Sequence, residues 1–274
     1  MRTLAHISDL HFGRDDPAVV EGLCRDLLSH CPDLLVASGD FTQRGRRRQY
    51  ARAAAFLSRL PFAKIVVPGN HDIPLFDLPR RFFYPLTRYQ QYVSADLRPF
   101  YRDDQIAVLG INTARPFTFT WNGFWKDGRI SPRQLEDIQR IVCSLPARLF
   151  KVVVTHHPFI PPPRLRLHGV VLGARRALGM LQKCGVDMLL AGHLHMGYSG
   201  DVRTHFEAID RSIISVQAGT AVSTRRRREP NAYNLIAIDT DQVRITVRTW
   251  AGGRFDTGEL TTYRRICGQW QRQS

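Results

Sequence analysis

No apolar run in this chain reaches 18 residues, so no segment is long enough to cross a bilayer as a single helix. No leader is expected: Met1-Arg2-Thr3-Leu4 runs straight into a strand-like stretch, which predicts no signal peptide. Cysteine is scarce and poorly spaced for metal. The five (Cys24, Cys31, Cys143, Cys184, Cys267) are odd in number and contain no CxxC pair, which excludes a zinc finger and predicts reduced thiols in a cytoplasmic protein. Neither an internal repeat nor a linker-like stretch is present. With 274 residues and 43% apolar content, the expectation is one layered α/β domain over 1–265. An aromatic insertion falls at about 73–99, and a polar, disordered tail is expected over 266–274.

Acid is the other shortage. Asp and Glu number 24 against 39 Lys and Arg, a formal charge of +15. The excess is arginine, gathered in Arg44-Gly45-Arg46-Arg47-Arg48, Arg80-Arg81, Arg175-Arg176 and the run at 225–228. Such a balance suits nucleic acid, an anionic membrane surface or phosphate-rich substrates, and an arginine-rich proteome would produce it as well.

What is present is a rhythm of strands and helices. Residues 4–8 read as a strand, and Asp15-Asp16-Pro17 as a helix start followed by Val19, Leu23 and Leu27. Residues 34–37 make a second strand, Tyr50, Ala54 and Leu57 mark a helix, and 65–67 make a third strand. Further strands are predicted at 106–111, 151–154, 188–190, 213–216, 235–238 and 243–247. Helices are predicted at 86–93, from Ser131-Pro132 onward, and at 174–183. Pro161-Pro162-Pro163 is too short for a linker and predicts a stiff loop.

A polar cluster follows five of these strands: Asp9 and His11, Asp40, Asn70-His71-Asp72, His156-His157, and His193 with His195. Asn70 offers a neutral oxygen, His71 an imidazole able to bond a phosphate, and Asp72 a carboxylate to orient its neighbours. Alone, each is an ordinary polar turn, and a histidine pair at i, i+2 is more often one face of a strand than a metal site. Parallel strands, however, deliver their exit loops to one sheet edge, so five clusters in this order predict a convergent site.

Asp9-Leu10-His11, Gly39-Asp40, Gly69-Asn70-His71-Asp72, His156-His157-Pro158 and Gly192-His193-Leu194-His195 together resemble the five motifs of the calcineurin-like metallophosphoesterases. The resemblance implies a four-layer α/β/β/α sandwich with a dinuclear metal site at the sheet edge. It implies Asp9, His11, Asp40 and His195 on one metal and Asp40, Asn70, His156 and His193 on the other, with Asp40 bridging. His156 is preferred to His157 on the resemblance alone. It further implies a metal-bridging hydroxide as nucleophile and His71 as a stabiliser of phosphate charge or proton donor to the leaving oxygen. Only two carboxylates oppose two divalent ions, and the surplus charge favours an anionic substrate. Mixed imidazole and oxygen donors suit Mn, Fe or Zn better than Ca or Mg.

Two departures narrow the substrate. Gln43 and Asp72 stand where the family's protein phosphatases carry a second acid and a glutamate, which disfavours a phosphoprotein. His71 stands where the lipid A pathway's pyrophosphatases often carry arginine. The stretch from Ser38 to Arg44 looks most like the bacterial phosphodiesterase branch, which includes class III cyclic nucleotide phosphodiesterases. The expectation is therefore a phosphodiesterase acting on a phosphodiester or nucleotide-type small molecule. The alternatives are a pyrophosphatase on a nucleotide-lipid such as UDP-diacylglucosamine, a nuclease, and a metal-poor scaffold. The intact ligand set argues against the last, and the little chain left after Arg265 argues against nucleic acid. Three aromatic or apolar segments, 73–86, 117–125 and 159–167, are expected near the metals with Arg80, Arg81, Arg164 and Arg166 among them. They read either as a small core under long loops or as a rim for a base or acyl chain, with a peripheral contact to an anionic membrane.

Overall fold

Strand β1 (Arg2–Ile7) runs parallel to β2 (Leu34–Ala37), which is parallel in turn to β3 (Ala63–Val66). On its other side β1 pairs antiparallel with β10 (Ala232–Ile238), placing Arg2 opposite Ile238. The computed structural model describes residues 1–118, 126–162, 169–206, 208–226 and 229–273. Beyond β10 the same sheet continues through β11 (Gln242–Trp250), β12 (Phe255–Ile266) and β13 (Gln269–Arg272). A second sheet is built from β4 (Phe100–Arg102), β5 (Ile106–Gly110), β6 (Phe150–Val154), β7 (Met188–Ala191), β9 (Ile214–Gln217) and β8 (Tyr198–Asp201), in that order. β5, β6, β7 and β9 are mutually parallel.

The two sheets pack face to face, and the period of two in their strands decides what goes between. Leu4, Leu34, Val36 and Ile65 point inward against Ile106, Val108, Val152, Val154, Met188 and Leu190. The alternate residues Ala5, Ile7, Leu35 and Ala37 point outward, under helices α1 (Pro17–His30) and α2 (Arg47–Ser58). On the far side Leu109, Val153 and Leu189 lie under α5 (Pro132–Cys143) and α6 (Ala174–Lys183). The result is the expected α/β/β/α sandwich. Local chemistry starts the helices: the Asp16 carboxylate accepts from Ala18 N at 2.9 Å, with Pro17 in the first turn. In α5 Ser131 Oγ and Gln134 form a reciprocal capping box. Two short helices, α3 (Leu78–Phe83) and α4 (Thr87–Tyr92), occupy the aromatic insertion.

Two expectations are corrected. Residues 266–274 are not a loose tail as far as Gln273: β13 folds back on β12, Trp270 is buried, and its indole donates to Asp187 Oδ1 at 3.2 Å. Nor are all five thiols reduced. α5 and α6 lie side by side, their ends meet, and Cys143 forms a disulfide with Cys184, leaving Cys24, Cys31 and Cys267 free.

Candidate active site

Because β1, β2 and β3 run one way in their sheet and β6 and β7 do so in theirs, the exit loops of all five reach one edge of the sandwich. Each loop turns sharply. Asp9, His11, Asp40, His193 and His195 all have left-handed backbones, with φ of 53°, 47°, 54°, 73° and 56°. Among the described residues only two other non-glycines, Cys31 and Cys267, share that conformation. It is sterically unfavourable for a residue with a Cβ and persists where the surroundings enforce it. Here it swings consecutive side chains toward one point. Gly39 has a positive φ as well, and a Cβ there would run into the His156 ring.

Asp9, His11 and Asp40 are fully buried, and His195 nearly so. Their ligand atoms lie within 4.8 Å of one another. Asp9 Oδ2 is held by Ser8 Oγ at 2.7 Å and by His193 N at 2.9 Å. Asp9 Oδ1 has no aligned donor, yet it faces His195 Nε2 at 3.1 Å and His11 Nε2 at 3.5 Å. The His195 ring donates Nδ1–H to the carbonyl of Arg225 at 2.8 Å, which turns the Nε2 lone pair inward. His11 Nε2 and His195 Nε2 stand 3.0 Å apart. Lone pairs and carboxylate oxygens crowded this way repel unless a proton or a cation lies among them, so the donor set fits a metal ion.

Asp40 joins this group to a second. Its Oδ1 accepts from His71 N at 2.8 Å, while Oδ2 lies 3.7 Å from His11 Nε2 and 3.3 Å from His156 Nε2. His156 gives its Nδ1–H to Ser38 O at 2.7 Å, leaving Nε2 beside Asn70 Oδ1 at 3.2 Å. His193 faces His156 edge to face, ring centroids 5.2 Å apart. His157 belongs to the same group by distance, but both of its nitrogens are engaged, by Thr113 Oγ1 at 2.8 Å and Lys126 O at 2.9 Å.

The electrostatics follow from burial and charge. Burial works to raise the Asp9 and Asp40 carboxyls, but neighbouring histidines outweigh it and hold both below the usual carboxylate range. Burial opposes protonation of His156, yet Asp40 beside it raises its pKa to about 9. Burial, with His156 nearby, lowers His193 to about 3. Asp72 is raised to about 7 by burial and by Asp40. Asp72 ties two exit loops together, accepting from Thr42 N at 2.9 Å and Gly69 N at 2.9 Å.

His71 stands in front of these groups. Its Nδ1–H is given to Gln43 O at 2.8 Å, and Arg225 Nη1 donates to its Nε2 at 3.1 Å. A cleft of about 350 Å³ opens here between the acidic and imidazole floor and a cationic rim of Lys126, Arg225 and Arg226. A second recess shares Asn70, His71 and Lys126 with this cleft and is lined also by Arg44 and Leu75. The structure thus brings together Asp9, His11, Asp40, Asn70, His71, His156, His193 and His195. Of the aromatic segments, Phe159 is core, whereas Phe76, Phe82, Phe83 and Tyr84 are exposed. Phe119, Trp125, Arg164, Arg166 and the arginines at 227 and 228 lie outside the described residues. Sequence reasoning misses Thr113, at the exit of β5, and the double part of Arg225, whose carbonyl orients His195 while its guanidinium meets His71. Thr113 was signalled by its place after a parallel strand; Arg225 was hidden in a run of like charges.

A two-sheet sandwich with paired carboxylate and imidazole groups at the ends of its parallel strands defines a class of metal-binding hydrolase folds. Residues 2–197 match the calcineurin-like phosphoesterase family, and this chain belongs to it. Over 209 residues it is 27% identical to a protein of Rhodococcus erythropolis named "Probable cyclic nucleotide phosphodiesterase", covering 70% of this chain and 64% of that one. An 80-residue stretch is 35% identical to the glycerophosphodiester phosphodiesterase GpdQ of Enterobacter lignolyticus, covering 25% of this chain and 29% of that one. The matches thus span less than two thirds of these relatives' length. Among solved structures, a dimetal phosphatase from Danio rerio superposes with a TM-score of 0.67 at 13% identity, over 93% of this chain and 98% of that one, a likeness of fold.

Proposed function

We propose that this protein is a dinuclear metal-dependent hydrolase of phosphodiester bonds. The observation that carries the reading is Asp40, whose Oδ2 lies between the two imidazole groups, within 3.7 Å of His11 and 3.3 Å of His156. Asp9, His11, Asp40 and His195 would hold one ion, and Asp40, Asn70, His156 and His193 the other. The donor set suits Mn, Fe or Zn. When bound, such ions supply Lewis acidity toward phosphoryl oxygens and lower the pKa of water, giving a nucleophile at neutral pH.

The remaining work falls to the chain. His71 and Arg225 stand where a phosphate over the cleft floor would meet them, one able to bond a phosphoryl or leaving oxygen, the other a fixed positive charge. Lys126 and Arg226 extend the cationic rim. The names of the relatives point to diesters. The second recess, with Arg44 and Lys126, favours a pyrophosphate substrate as the alternative reading, because it offers a place for another phosphate.

The test is metal analysis of the purified protein together with hydrolysis of bis(p-nitrophenyl) phosphate, p-nitrophenyl phosphate and a nucleoside diphosphate ester. Two transition-metal equivalents per chain and a preference for the diester are expected. Asp40→Asn should lose both ions. His71→Ala should keep them and lose about 10²–10⁴-fold in turnover. A single tightly held ion, or a His71→Ala protein as active as wild type, would sink the assignment.

A further inference from the structure

Exposed apolar side chains are unevenly placed in this molecule. Of the eleven large ones among the described residues, five fall within a nine-residue stretch: Phe76, Leu78, Phe82, Phe83 and Tyr84. The stretch is fixed. Arg81 turns inward from α3, buried, and donates to Pro74 O at 3.0 Å and Pro116 O at 2.8 Å. Leu78 and Phe82, four apart on the helix, are both exposed beside it. These aromatics fill no core; their exposures run from 50% to 77%.

Beside them lies a cluster of positive charge, four arginines among residues 44–48. Arg44 stacks on the Phe76 ring, 5.0 Å from its centroid, and Arg88 donates to Gly45 O at 2.8 Å, so the 44–48 run and the α3–α4 segment are neighbours. Arg46, Arg47 and Arg48 are exposed. Among the described residues neither they nor Arg44 forms an ion pair. Arg47 and Arg48 occupy the first turn of α2, where the helix dipole disfavours cations, so the fold gains nothing from them there. The acid of this surface, Asp77, is matched by Arg80 at 3.1 Å and Arg88 at 3.6 Å.

We propose that the surface made by residues 76–84 and the 44–48 arginines docks on an anionic lipid bilayer. Phenylalanine and tyrosine side chains settle at the boundary between headgroups and acyl chains, while guanidinium groups pair with headgroup phosphates. Stable peripheral binding requires both signals, and both are present on adjoining segments. The Arg44-lined recess beside His71 adjoins this surface, so docking brings the mouth of the active site to the headgroup layer. The proposal does not depend on the reaction catalysed.

The experiment is co-sedimentation with phosphatidylcholine vesicles prepared with and without phosphatidylglycerol, at low and high salt. Binding is expected only with phosphatidylglycerol and should weaken as salt rises. Replacing all three arginines (Arg46→Gln, Arg47→Gln, Arg48→Gln) should weaken it by about 100-fold, at about fivefold per charge. Phe82→Ser with Phe83→Ser should abolish it, while thermal midpoint and hydrolysis of a soluble diester stay at wild-type values in both variants. The proposal falls if wild type ignores the anionic vesicles, binds neutral ones equally, or is unaffected by the substitutions. It also falls if ultracentrifugation shows a dimer that the serine variant dissociates, since the surface would then cover a second copy. Should the serine variant not fold, the arginine variant and the wild-type vesicle comparison still decide.

Discussion

At Arg225 one residue serves two histidines by different atoms. Its carbonyl accepts from His195, which any side chain at 225 would preserve, and its guanidinium donates to His71. Arg225→Ala is therefore expected to keep metal content and thermal midpoint while lowering kcat/KM for a chromogenic diester about 10- to 100-fold, the scale of one hydrogen bond to a charged group. Loss of metal instead would place its importance in the backbone. His6 gives a second residue-scale prediction. Burial lowers its imidazole from the usual 6.5 to about 3, and Ser38 Oγ lies 2.9 Å from its Nε2. Below pH 6.5 the unfolded chain takes up a proton that the folded one refuses until near pH 3. Stability therefore declines as pH drops through that window, by up to about 1.4 kcal/mol per unit from this group. His6→Gln should be less stable at neutral pH but show a flatter slope from pH 6.5 to 4 in urea unfolding of metal-free protein. An unchanged slope would assign the effect to other buried histidines.

Among elements, β13 is the least expected and the most exposed to test. It has four residues, Gln269–Arg272, of which one large side chain is buried. A strand with a single inward aromatic has no alternation to detect, and the surrounding arginines and glutamines read as tail. What recruits it is tertiary: Trp270 packs edge-on to Phe150 at 5.5 Å and meets Asp187, which also receives Arg211 at 3.0 Å and Arg265. Trp270→Ala should cost about 3–5 kcal/mol in chemical denaturation, with turnover per folded molecule unchanged because the strand lies away from the exit loops. The strands β2, β5 and β7 were legible because both faces are buried and their sequences carry no polar side chain, and β1 and β6 because their buried stretches are interrupted only by His6 and by Lys151. The edge strands β4 and β8, with partly exposed faces, were not. The convergence of the motif residues was the most legible feature of all, since each motif sits at a strand exit. What remained hidden was how the rings are turned: which nitrogens of His156 and His157 are already engaged depends on Ser38, Thr113 and Lys126 rather than on neighbours in sequence.

On the scale of the whole molecule, a formal charge of +15 surrounds a cleft whose rim is itself cationic. Attraction of an anionic diester should thus be long-ranged. KM is expected to rise, with kcat little changed, as salt increases from about 10 mM to 100 mM and the screening length falls from about 30 to 10 Å. A salt-independent KM would confine recognition to contacts inside the cleft. The sheet that carries Asp9 and His11 has another property that belongs to the molecule entire. β1 has β10 as its antiparallel partner, Arg2 opposite Ile238. At about 5–20 residues per second of synthesis, one edge of β1 must wait on the order of 10–50 seconds for its mate. During that interval a short apolar strand stands open on a growing chain, which makes the earliest-made part of the active site the part that most needs shelter before folding is complete.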